Sequence, residues 1–360
     1  MPAYVRVKTM GLWPAASSDK GRDRMFRKPV VFIVGAGASK DYGLPLGGAL
    51  ASTIASDLRK LNRLIGGDND LVDVLLSSRG RDSLPKYIEA GRMLGAAISS
   101  SVSIDDALYL LSESPEAVEL GKICISRSIL EAEGNGALQI RRDTGRMNPD
   151  AGKDGWIEQV FSMAIANHKL CEVSRAFDNL TFINFNYDRC LEHYLFWSLQ
   201  RIGLPVSDAI NIVRGLSIIR PYGTLGTILP RAPDTLQFGE LSRLEVFMAK
   251  DRIRTYTESE ALNKDHLRRV ISDAAMHIFL GFGFHHQNLE LLSVLESMPV
   301  RNGAKQVLAT VFGIDPANID QLRLSLQAIV KVHAERIELL DKTATQLLRD
   351  LRLRIMMAVG

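Results

Sequence analysis

Five small residues near the start of the chain form a loop that could bind phosphate. The preceding segment, Val30 to Val34, is an unbroken apolar run rich in β-branched residues, which is typical of a strand covered on both faces of a parallel sheet. The loop follows at once, with Gly35, Ala36, Gly37, Ala38 and Ser39. Because these residues carry almost no side-chain bulk, a phosphate could approach their backbone N–H groups closely. The pattern therefore predicts a phosphate loop at the carboxyl end of the strand.

A second turn leads from this loop into a helix. The helical pattern runs from about Leu46 to Asn62, and the turn before it is made by Gly43, Leu44 and Pro45. A strand, a tight loop and a helix start are the usual frame for a pyrophosphate on a helix dipole. The spacing nevertheless departs from the fingerprint G-x-G-x-x-G, because the glycine after Gly37 comes six residues later, and Asp57 falls within the helical pattern. An ordinary Rossmann dehydrogenase is a poor fit, and a glycine turn that only packs strand against helix is the alternative.

Four further apolar runs predict strands, at Leu180 to Ile183, Ser217 to Ile219, Met276 to Leu280 and Gln306 to Val311. Each run ends in a turn that carries polar residues or glycine, such as the turn from Asn184 to Asp188. In an open parallel sheet such turns gather at the edge where ligands bind. The chain is therefore predicted to have an α/β fold, a Rossmann-like parallel sheet with helices on both faces.

The long segment between the first helix and the second strand is predicted to be a helical insert. Residues 63–179 contain Ala-, Leu- and Glu-rich stretches broken by polar loops, and Ser103 is placed to cap one of the helices. We expect this insert to form a cap over the sheet. The predicted domains are a flexible tail at 1–28, an α/β domain at 29–334 that includes the insert, and an amphipathic C-terminal helix at 335–360.

The C-terminal helix has apolar residues at helical spacing, with three arginines among them. Most such helices dock on the core of their own chain. The alternative is a surface that joins copies of this chain, or joins it to a partner protein. The basic residues have no interleaved aromatics, so nucleic acid is not an expected partner.

The composition excludes several classes of protein. Lys and Arg exceed Asp and Glu by 44 to 41, and a net charge of +3 does not indicate nucleic acid or a membrane surface. No apolar run approaches the roughly 18 residues of a membrane span, and the first 24 residues contain no signal-peptide core. Three scattered cysteines exclude a disulfide framework and a four-cysteine zinc site, namely Cys124, Cys171 and Cys190. We expect no metal and a reducing, cytoplasmic setting.

Six segments of the chain resemble, in the same order, the sirtuin-like NAD-hydrolase family found in bacterial defence proteins. They are GAGASKDYGLP, SIDDALYLL, GKICISRSILEAE, TFINFNYDRCLEHYL, RPYGTLG and FLGFGFHHQNLELL. The resemblance extends from Pro29 to about Asp320. It implies a Rossmann-like sheet that binds NAD under a helical cap, with the first loop on the pyrophosphate. It also implies a part in defence against phage.

The resemblance further implies a set of site residues. Asn186 and Asp188 match the family's N-x-D turn, which lies beside the nicotinamide ribose, and Tyr222 occupies the glycine turn that carries a catalytic side chain in the family. These three are the expected catalytic residues. The expected NAD-binding residues are Gly35, Ala36, Gly37, Ala38, Ser39, Gly43, Leu44, Pro45, Asn184, Gly223, Gly281, Phe282, Gly283 and Asn288.

The chemistry of these side chains agrees with that assignment. Cleavage of the bond between nicotinamide and ribose develops positive charge on the sugar, as in glycosidases. The Asn186 carboxamide can hold a ribose hydroxyl or position a water molecule, and the Asp188 carboxylate can stabilise the cation and orient the amide. The alternative is that both residues cap the helix that follows, and the two roles are compatible.

One position departs from the family pattern. Sirtuins and related hydrolases place a catalytic His in or just before the turn that reads RPYG here, yet this chain has no His between His193 and His266. Arg220 cannot give up its proton at neutral pH, and the Tyr222 hydroxyl is a poor base, although it could bond the ribose. Two histidines after the next glycine pair are the alternative source of an imidazole, His285 and His286.

Two classes of function follow from the resemblance and this departure. The first is an NAD⁺ glycohydrolase that releases nicotinamide and ADP-ribose. The alternative is a catalytically silent sensor that binds NAD or an ADP-ribose derivative. A protein deacylase is excluded, because its zinc module needs four cysteines. The expected partners are NAD or an ADP-ribose derivative, together with copies of this chain or a partner protein.

Overall fold

The computed structural model describes residues 26–63, 70–148, 150–259, 263–295 and 305–360. The centre of the fold is a sheet of six parallel strands, β1 (Val30–Val34), β2 (Leu180–Asn184), β3 (Ser217–Ile219), β4 (Met276–Leu280), β5 (Gln306–Thr310) and β6 (Ile337–Leu340). Their order across the sheet is β3-β2-β1-β4-β5-β6, which is the order of a doubly wound Rossmann-type sheet. The predicted α/β fold with a Rossmann-like parallel sheet is therefore confirmed.

Helices surround this sheet along the whole described chain. In order they are α1 (Ala36–Ser39), α2 (Gly47–Arg63), α3 (Asp70–Arg79), α4 (Leu84–Ser100), α5 (Ile104–Leu110), α6 (Pro115–Asn135), α7 (Trp156–Ile165), α8 (Cys190–Arg201), α9 (Val206–Arg214), α10 (Arg243–Ala249), α11 (Tyr256–Ser259), α12 (Lys264–Asp273), α13 (His286–Leu292), α14 (Ile319–Val330) and α15 (Ala344–Val359). A short antiparallel hairpin between α6 and α7 pairs Ile140–Arg141 with Arg146–Met147. Among the described residues, no helix combines the length and apolar character that crossing a membrane requires.

The central strand β1 is buried on both faces, and its side chains alternate between two cores. Val31 and Ile33 pack with the helices α2, α4, α6 and α14. Val30, Phe32 and Val34 pack with α7, α8, α9 and α15 on the opposite face. A strand covered in this way needs apolar residues at every position, which explains the unbroken run in the sequence.

The predicted helical insert does not form a single cap. α4 packs against α2 and α6 on one face of the sheet, whereas α7 packs against α8 and α15 on the other. Trp156 and Phe161 of α7 are fully buried, because they complete the core beneath α15. The insert therefore contributes to both layers of the fold.

The predicted tail at 1–28 is corrected at its end. Residues 1–25 lie outside the described residues, but Phe26 is buried and Arg27 N donates to Val359 O at 2.8 Å. The Lys28 ammonium group donates to Ala358 O at 3.0 Å. These contacts fasten the segment before β1 to the end of α15, so residues 26–28 belong to the folded domain.

The prediction of a single helix over 335–360 is wrong. Ile337–Leu340 forms the edge strand β6, in which Ile337 lies opposite Val307 of β5. The helix begins at Ala344, after a capping box in which Thr343 and Gln346 each accept a hydrogen bond from the other's backbone N–H. A strand of four residues is too short to show an alternating pattern of its own, and its apolar side chains also fit the spacing of the helix that follows.

The helix α15 docks on the core of its own chain, as most amphipathic helices do. Leu347, Leu348 and Ile355 are fully buried in the layer that includes α7. The opposite face leaves Leu353 and Met357 mostly exposed. The helix thus joins the sheet to the insert and still presents two large apolar side chains to solvent.

Candidate functional site

A cavity of about 720 Å³ opens at the carboxyl ends of β1, β2, β4 and β5. The chain crosses the sheet in one direction from β1 to β3 and in the other from β4 to β6, so the strand order reverses between β1 and β4. In open α/β sheets, ligands bind in the crevice outside such a reversal. The cavity volume falls within the range of about 300–1,000 Å³ that small-molecule sites occupy.

The structure brings together most of the residues that the sequence analysis singled out. Twelve of them line the cavity, namely Gly35, Ala36, Gly37, Leu44, Pro45, Asn186, Asp188, Tyr222, Gly281, Phe282, Gly283 and Asn288. The helical insert adds Ile104, Asp105 and Ile129, and the start of α15 adds Thr343 and Ala344. Segments far apart in the chain therefore meet at one edge of the sheet.

Five of the expected binding residues lie outside the cavity wall: Ala38, Ser39, Gly43, Asn184 and Gly223. Ser39 and Asn184 lie behind the wall, where both contact Asn186. Gly223 has a φ of 72°, and a Cβ there would lie 2.0 Å from Arg252 O. Gly223 is therefore required by a close approach of two backbone segments.

The loop after β1 is packed against the loop after β4, and its N–H groups serve that contact. Gly35 N donates to Leu280 O at 3.0 Å, and Gly37 N donates to Gly281 O at 2.9 Å. Gly281 has a φ of 55°, and a Cβ there would lie 2.0 Å from Ala38 N. Two of the N–H groups that were expected to receive a phosphate, those of Gly35 and Gly37, are therefore bonded within the protein. The glycines allow two neighbouring loops to approach closely, which is the alternative considered for the sequence.

Asn186 lies at the bottom of the cavity in a fixed orientation. Its side-chain nitrogen donates to Gly35 O at 3.0 Å and to Ser39 Oγ at 2.9 Å. Because a backbone carbonyl only accepts, these bonds place the amide nitrogen toward the loop and the amide oxygen toward the cavity. Asn186 N donates to Asn184 Oδ1 at 3.0 Å. The turn therefore presents one oriented acceptor to whatever occupies the cavity.

Asp188 lines the cavity but has a capping role as well. Its Oδ1 accepts from Cys190 N at 3.0 Å, at the first residue of α8. Arg220 holds the same turn from the other side, because its guanidinium donates to Asn186 O at 2.9 Å and to Asp188 O at 3.1 Å. Arg220 also forms an ion pair with Glu192 at 2.6 Å. Arg220 is thus a positioning residue for the turn.

Aromatic side chains form one wall of the cavity. Tyr222 donates to Asn288 Oδ1 at 2.7 Å, and burial raises the pKa of its hydroxyl well above the ordinary value. Its ring lies 5.9 Å from Phe185, which lies 5.0 Å from Phe282. A wall of this kind suits a flat ring, and the Tyr222 hydroxyl acts there as a hydrogen-bonding group and not as a base.

Asp105 is a cavity residue that the sequence analysis did not select. Tyr187 donates to Asp105 Oδ1 at 2.6 Å, and burial raises the pKa of the Asp105 carboxyl to about 6. The sequence placed this residue in a capping segment, and Ser103 does cap α5 by accepting from Asp106 N at 3.1 Å. The capping pattern therefore explains the segment without giving a role to the Asp105 carboxylate. The sequence feature that could have indicated this residue is Tyr187, its hydrogen-bond partner, which lies inside the N-x-D turn.

The two candidate histidines have different positions. His285 precedes α13 and lies on the cavity rim, exposed to solvent. Its charge acts on the Asp105 carboxyl and lowers the pKa of that group, against the larger effect of burial. His286 is 91% exposed, faces Glu290 and takes no part in the cavity wall. His285 is therefore the imidazole that the chain offers to this site.

The start of α2 opens onto the cavity. Leu46, Gly47 and Gly48 are all part of its wall, and Leu50 N donates to Leu46 O at 2.9 Å. Leu46 has no side-chain acceptor with which to cap the helix. A Cβ at Gly47 or Gly48 would meet no atom within 4 Å. An anion could therefore approach the positive end of this 17-residue helix.

The described residues contain no group of three or more His, Cys, Asp or Glu side chains placed to hold a metal ion. A scan of the chain against models of known protein families finds no match, and a search of curated proteins finds no matching relative.

Proposed function

We propose that this chain is a sirtuin-like NAD⁺ glycohydrolase, which cleaves NAD⁺ to nicotinamide and ADP-ribose. The observation that carries the proposal is the Asn186 carboxamide, held by two hydrogen bonds with its oxygen toward the cavity. The cavity lies at the strand reversal where Rossmann-type sheets bind nucleotides. Both features agree with the resemblance of the chain to sirtuin-like NAD hydrolases.

The role we assign to Asn186 follows from the charge that develops during cleavage. As the glycosidic bond breaks, the ribose becomes cationic and its hydroxyl groups become stronger donors. An acceptor that is already oriented needs no reorganisation at that moment, so it stabilises the transition state more than the ground state. The ring of the nicotinamide would lie against the wall formed by Phe185, Tyr222 and Phe282.

The pyrophosphate of the substrate would bind at the start of α2. Gly47 and Gly48 leave this helix end open, and the Lys40 ammonium lies on the same cavity wall. An anion is stabilised by the N–H groups and the dipole of a helix start. In this proposal the anion site lies at residues 46–48, after the loop that follows β1.

The test is to follow nicotinamide and ADP-ribose separately while the purified chain is incubated with NAD⁺. Asn186→Ala should lower turnover by about 100-fold to 1,000-fold, the effect of removing one oriented transition-state group, while NAD⁺ still raises the melting temperature. Asn211→Ala, on the exposed surface of α9, is the matched control and should act like the parent chain. Turnover that survives in Asn186→Ala would contradict the proposal.

A silent NAD sensor is the second candidate, and a specific observation favours it. Tyr222 lies where the family places its catalytic His, and its hydroxyl is committed to Asn288. A sensor would show NAD-induced thermal stabilisation without release of nicotinamide, before and after addition of candidate activators. It would bind ADP-ribose about as well, because the nicotinamide would contribute no chemistry.

Assembly into a homo-oligomer, or with a partner protein, is also proposed. Leu353 and Met357 lie one helical turn apart on the solvent face of α15. Replacement of both by Glu should shift an oligomer to monomers in light scattering. An unchanged mass would remove this face from consideration. The NAD⁺ pool of the cytoplasm would be the substrate of such an assembly.

A further inference from the structure

We propose that Asp105 is the general base that takes the proton from the attacking water molecule, a role that rests on the proposed glycohydrolase function. Asp105 lies on the helical insert, so it enters the cavity from a different element than Asn186 does. The usual catalytic His of sirtuin-like proteins is absent from the glycine turn. In place of that His, Asp105 of the helical insert would accept the proton.

The hydrogen bonds around Asp105 leave one of its oxygens available. Oδ1 accepts from Tyr187 at 2.6 Å, which restrains the carboxylate. No described residue donates a side-chain hydrogen bond to Oδ2, and the group lines the cavity. Asp106, the next residue, accepts from Ser103 Oγ at 3.0 Å and is not part of the wall. The two adjacent carboxylates therefore differ, since Asp105 is part of the cavity wall and Asp106 is bonded to Ser103, the residue that caps α5.

The other ionisable groups of the wall are less suited to accept a proton. Asp41 is bonded to Thr345 at 2.7 Å, and Asp188 is bonded to the start of α8. Burial keeps the Tyr222 hydroxyl protonated. Lys40 and Lys342 have side chains that donate hydrogen bonds, and His285 lies at the solvent-exposed rim. Asp105 is a partly buried carboxylate of the cavity wall, and its side-chain hydrogen bond from Tyr187 involves Oδ1 and leaves Oδ2 for a ligand.

The electrostatic surroundings of Asp105 suit a general base at neutral pH. Burial, together with the neighbouring Asp106, raises the pKa of its carboxyl to about 6, although Tyr187, His285 and the backbone N–H of Asp105 oppose this shift. Tyr222 is the next titratable group, with its ring 6.2 Å from the ring of Tyr187. The carboxylate is therefore ionised at pH 7 but more basic than an exposed aspartate, as base catalysis favours.

The proposed step is balanced in atoms and charge. When the glycosidic bond breaks, its electron pair stays on the pyridine nitrogen, so nicotinamide leaves as a neutral molecule and the cation remains on the ribose. The water oxygen then forms a bond to C1′, and one of its protons moves to Asp105 Oδ2. The proton later passes to solvent and restores the carboxylate. Tyr187 keeps its own proton throughout.

The test separates this step from bond cleavage. Replacement of the bound nicotinamide by labelled nicotinamide requires cleavage but no water, whereas hydrolysis requires both. Asp105→Asn keeps an acceptor for Tyr187 and removes the base. It should lower hydrolysis by about 100-fold, the usual worth of a positioned base, while label exchange into NAD⁺ is retained and the ratio of exchange to hydrolysis rises. Asp106→Asn is the matched control and should change neither rate.

Three results would overturn the inference in distinguishable ways. Equal hydrolysis by Asp105→Asn and the parent chain would leave the glycohydrolase in place and remove Asp105 as its base. Parallel loss of exchange and hydrolysis, with NAD-induced stabilisation intact, would assign Asp105 to the cleavage step. Absence of turnover in the parent chain would overturn the proposed function itself, and the base with it.

Discussion

The loops that follow β1 and β2 are neighbours in the sheet, yet they are built in opposite ways. The first, Gly35 with the short helix α1 (Ala36–Ser39), is made of small residues whose backbone packs directly against Gly281. The second, from Phe185 to Asp188, is made of polar and aromatic residues that line the cavity. The segment after β1 holds the amide of Asn186 through two hydrogen-bond acceptors, Gly35 O and Ser39 Oγ. The segment after β1, which has the strongest nucleotide-binding pattern in the sequence, therefore supports the site. The less regular turn after β2 carries its functional groups.

The most damaging change to this arrangement should be a methyl group at Gly281. Gly281→Ala would place Cβ 2.0 Å from Ala38 N at a φ of 55°, so the two loops would have to separate. We expect a loss of about 4 kcal/mol or more in the free energy of unfolding, or no folded protein. Urea denaturation measures this loss. Gly48→Ala, where the Cβ would meet open space, is the control, and equal stability of both variants would contradict this backbone contact.

The charge on Asp105, beside the turn that follows β2, should lower the stability of the folded chain. The pKa of this carboxyl is about 6 in the folded chain against 3.8 for the free side chain. The folded state therefore binds more protons than the unfolded state between these values, so stability falls as pH rises through this window. Above about pH 6 the whole penalty applies, up to about 3 kcal/mol.

Asp105→Asn removes that penalty, so it should stabilise the chain at pH 7.5 and have little effect near pH 4. The comparison of urea midpoints for the two proteins at both pH values provides the test. A variant that is less stable than the parent at pH 7.5 would show that the carboxylate is a structural group.

Arg220 should matter next, because it holds the backbone of the polar turn. Arg220→Lys removes the fork that donates to Asn186 O and Asp188 O and pairs with Glu192. A single ammonium cannot make all these bonds, so we expect a loss of about 2 kcal/mol in stability. Turnover should fall further than NAD⁺ affinity, because the Asn186 oxygen would lose its orientation. Wild-type turnover in Arg220→Lys would show that the turn is rigid without this clamp.

The smallest effect should come from Ser39, where the two loops meet. Ser39→Ala removes one of the two acceptors of the Asn186 amide and leaves the bond to Gly35 O. The expected loss is about 1 kcal/mol in stability. Ser52→Ala, whose hydroxyl bonds within α2 and lies outside the cavity wall, is the control. A loss of turnover equal to that of Asn186→Ala would contradict this ranking and show that Ser39 is required to orient the Asn186 amide.

Much of the fold could be predicted because its signals are local. The strands β1 to β5 are apolar runs that end in recognisable turns, and they place twelve expected residues around one cavity. β6 was missed because four residues at an edge carry no period of their own. The backbone contact between the loop after β1 and Gly281 could not be predicted either, because Gly281 lies more than 240 positions away in the sequence.

Asp105 was missed for a different physical reason. The segment Ser103 to Asp106 satisfies a helix-capping pattern completely, and the cap does form. A role for the Asp105 carboxylate becomes visible only in the folded chain, where Tyr187 donates a hydrogen bond to it. Local patterns thus identified the scaffold and the turn, whereas the pairing between insert and sheet needed the structure.

The most direct test of the central claim is a proton NMR time course of NAD⁺ with the purified chain and with Asn186→Ala at equal saturation. We predict that free nicotinamide and ADP-ribose appear at equal rates with the parent chain. The variant should form little or no product, although NAD⁺ still raises its melting temperature. Unchanged NAD⁺ with a parent chain that NAD⁺ stabilises, or turnover that persists in the variant, would contradict the proposed glycohydrolase.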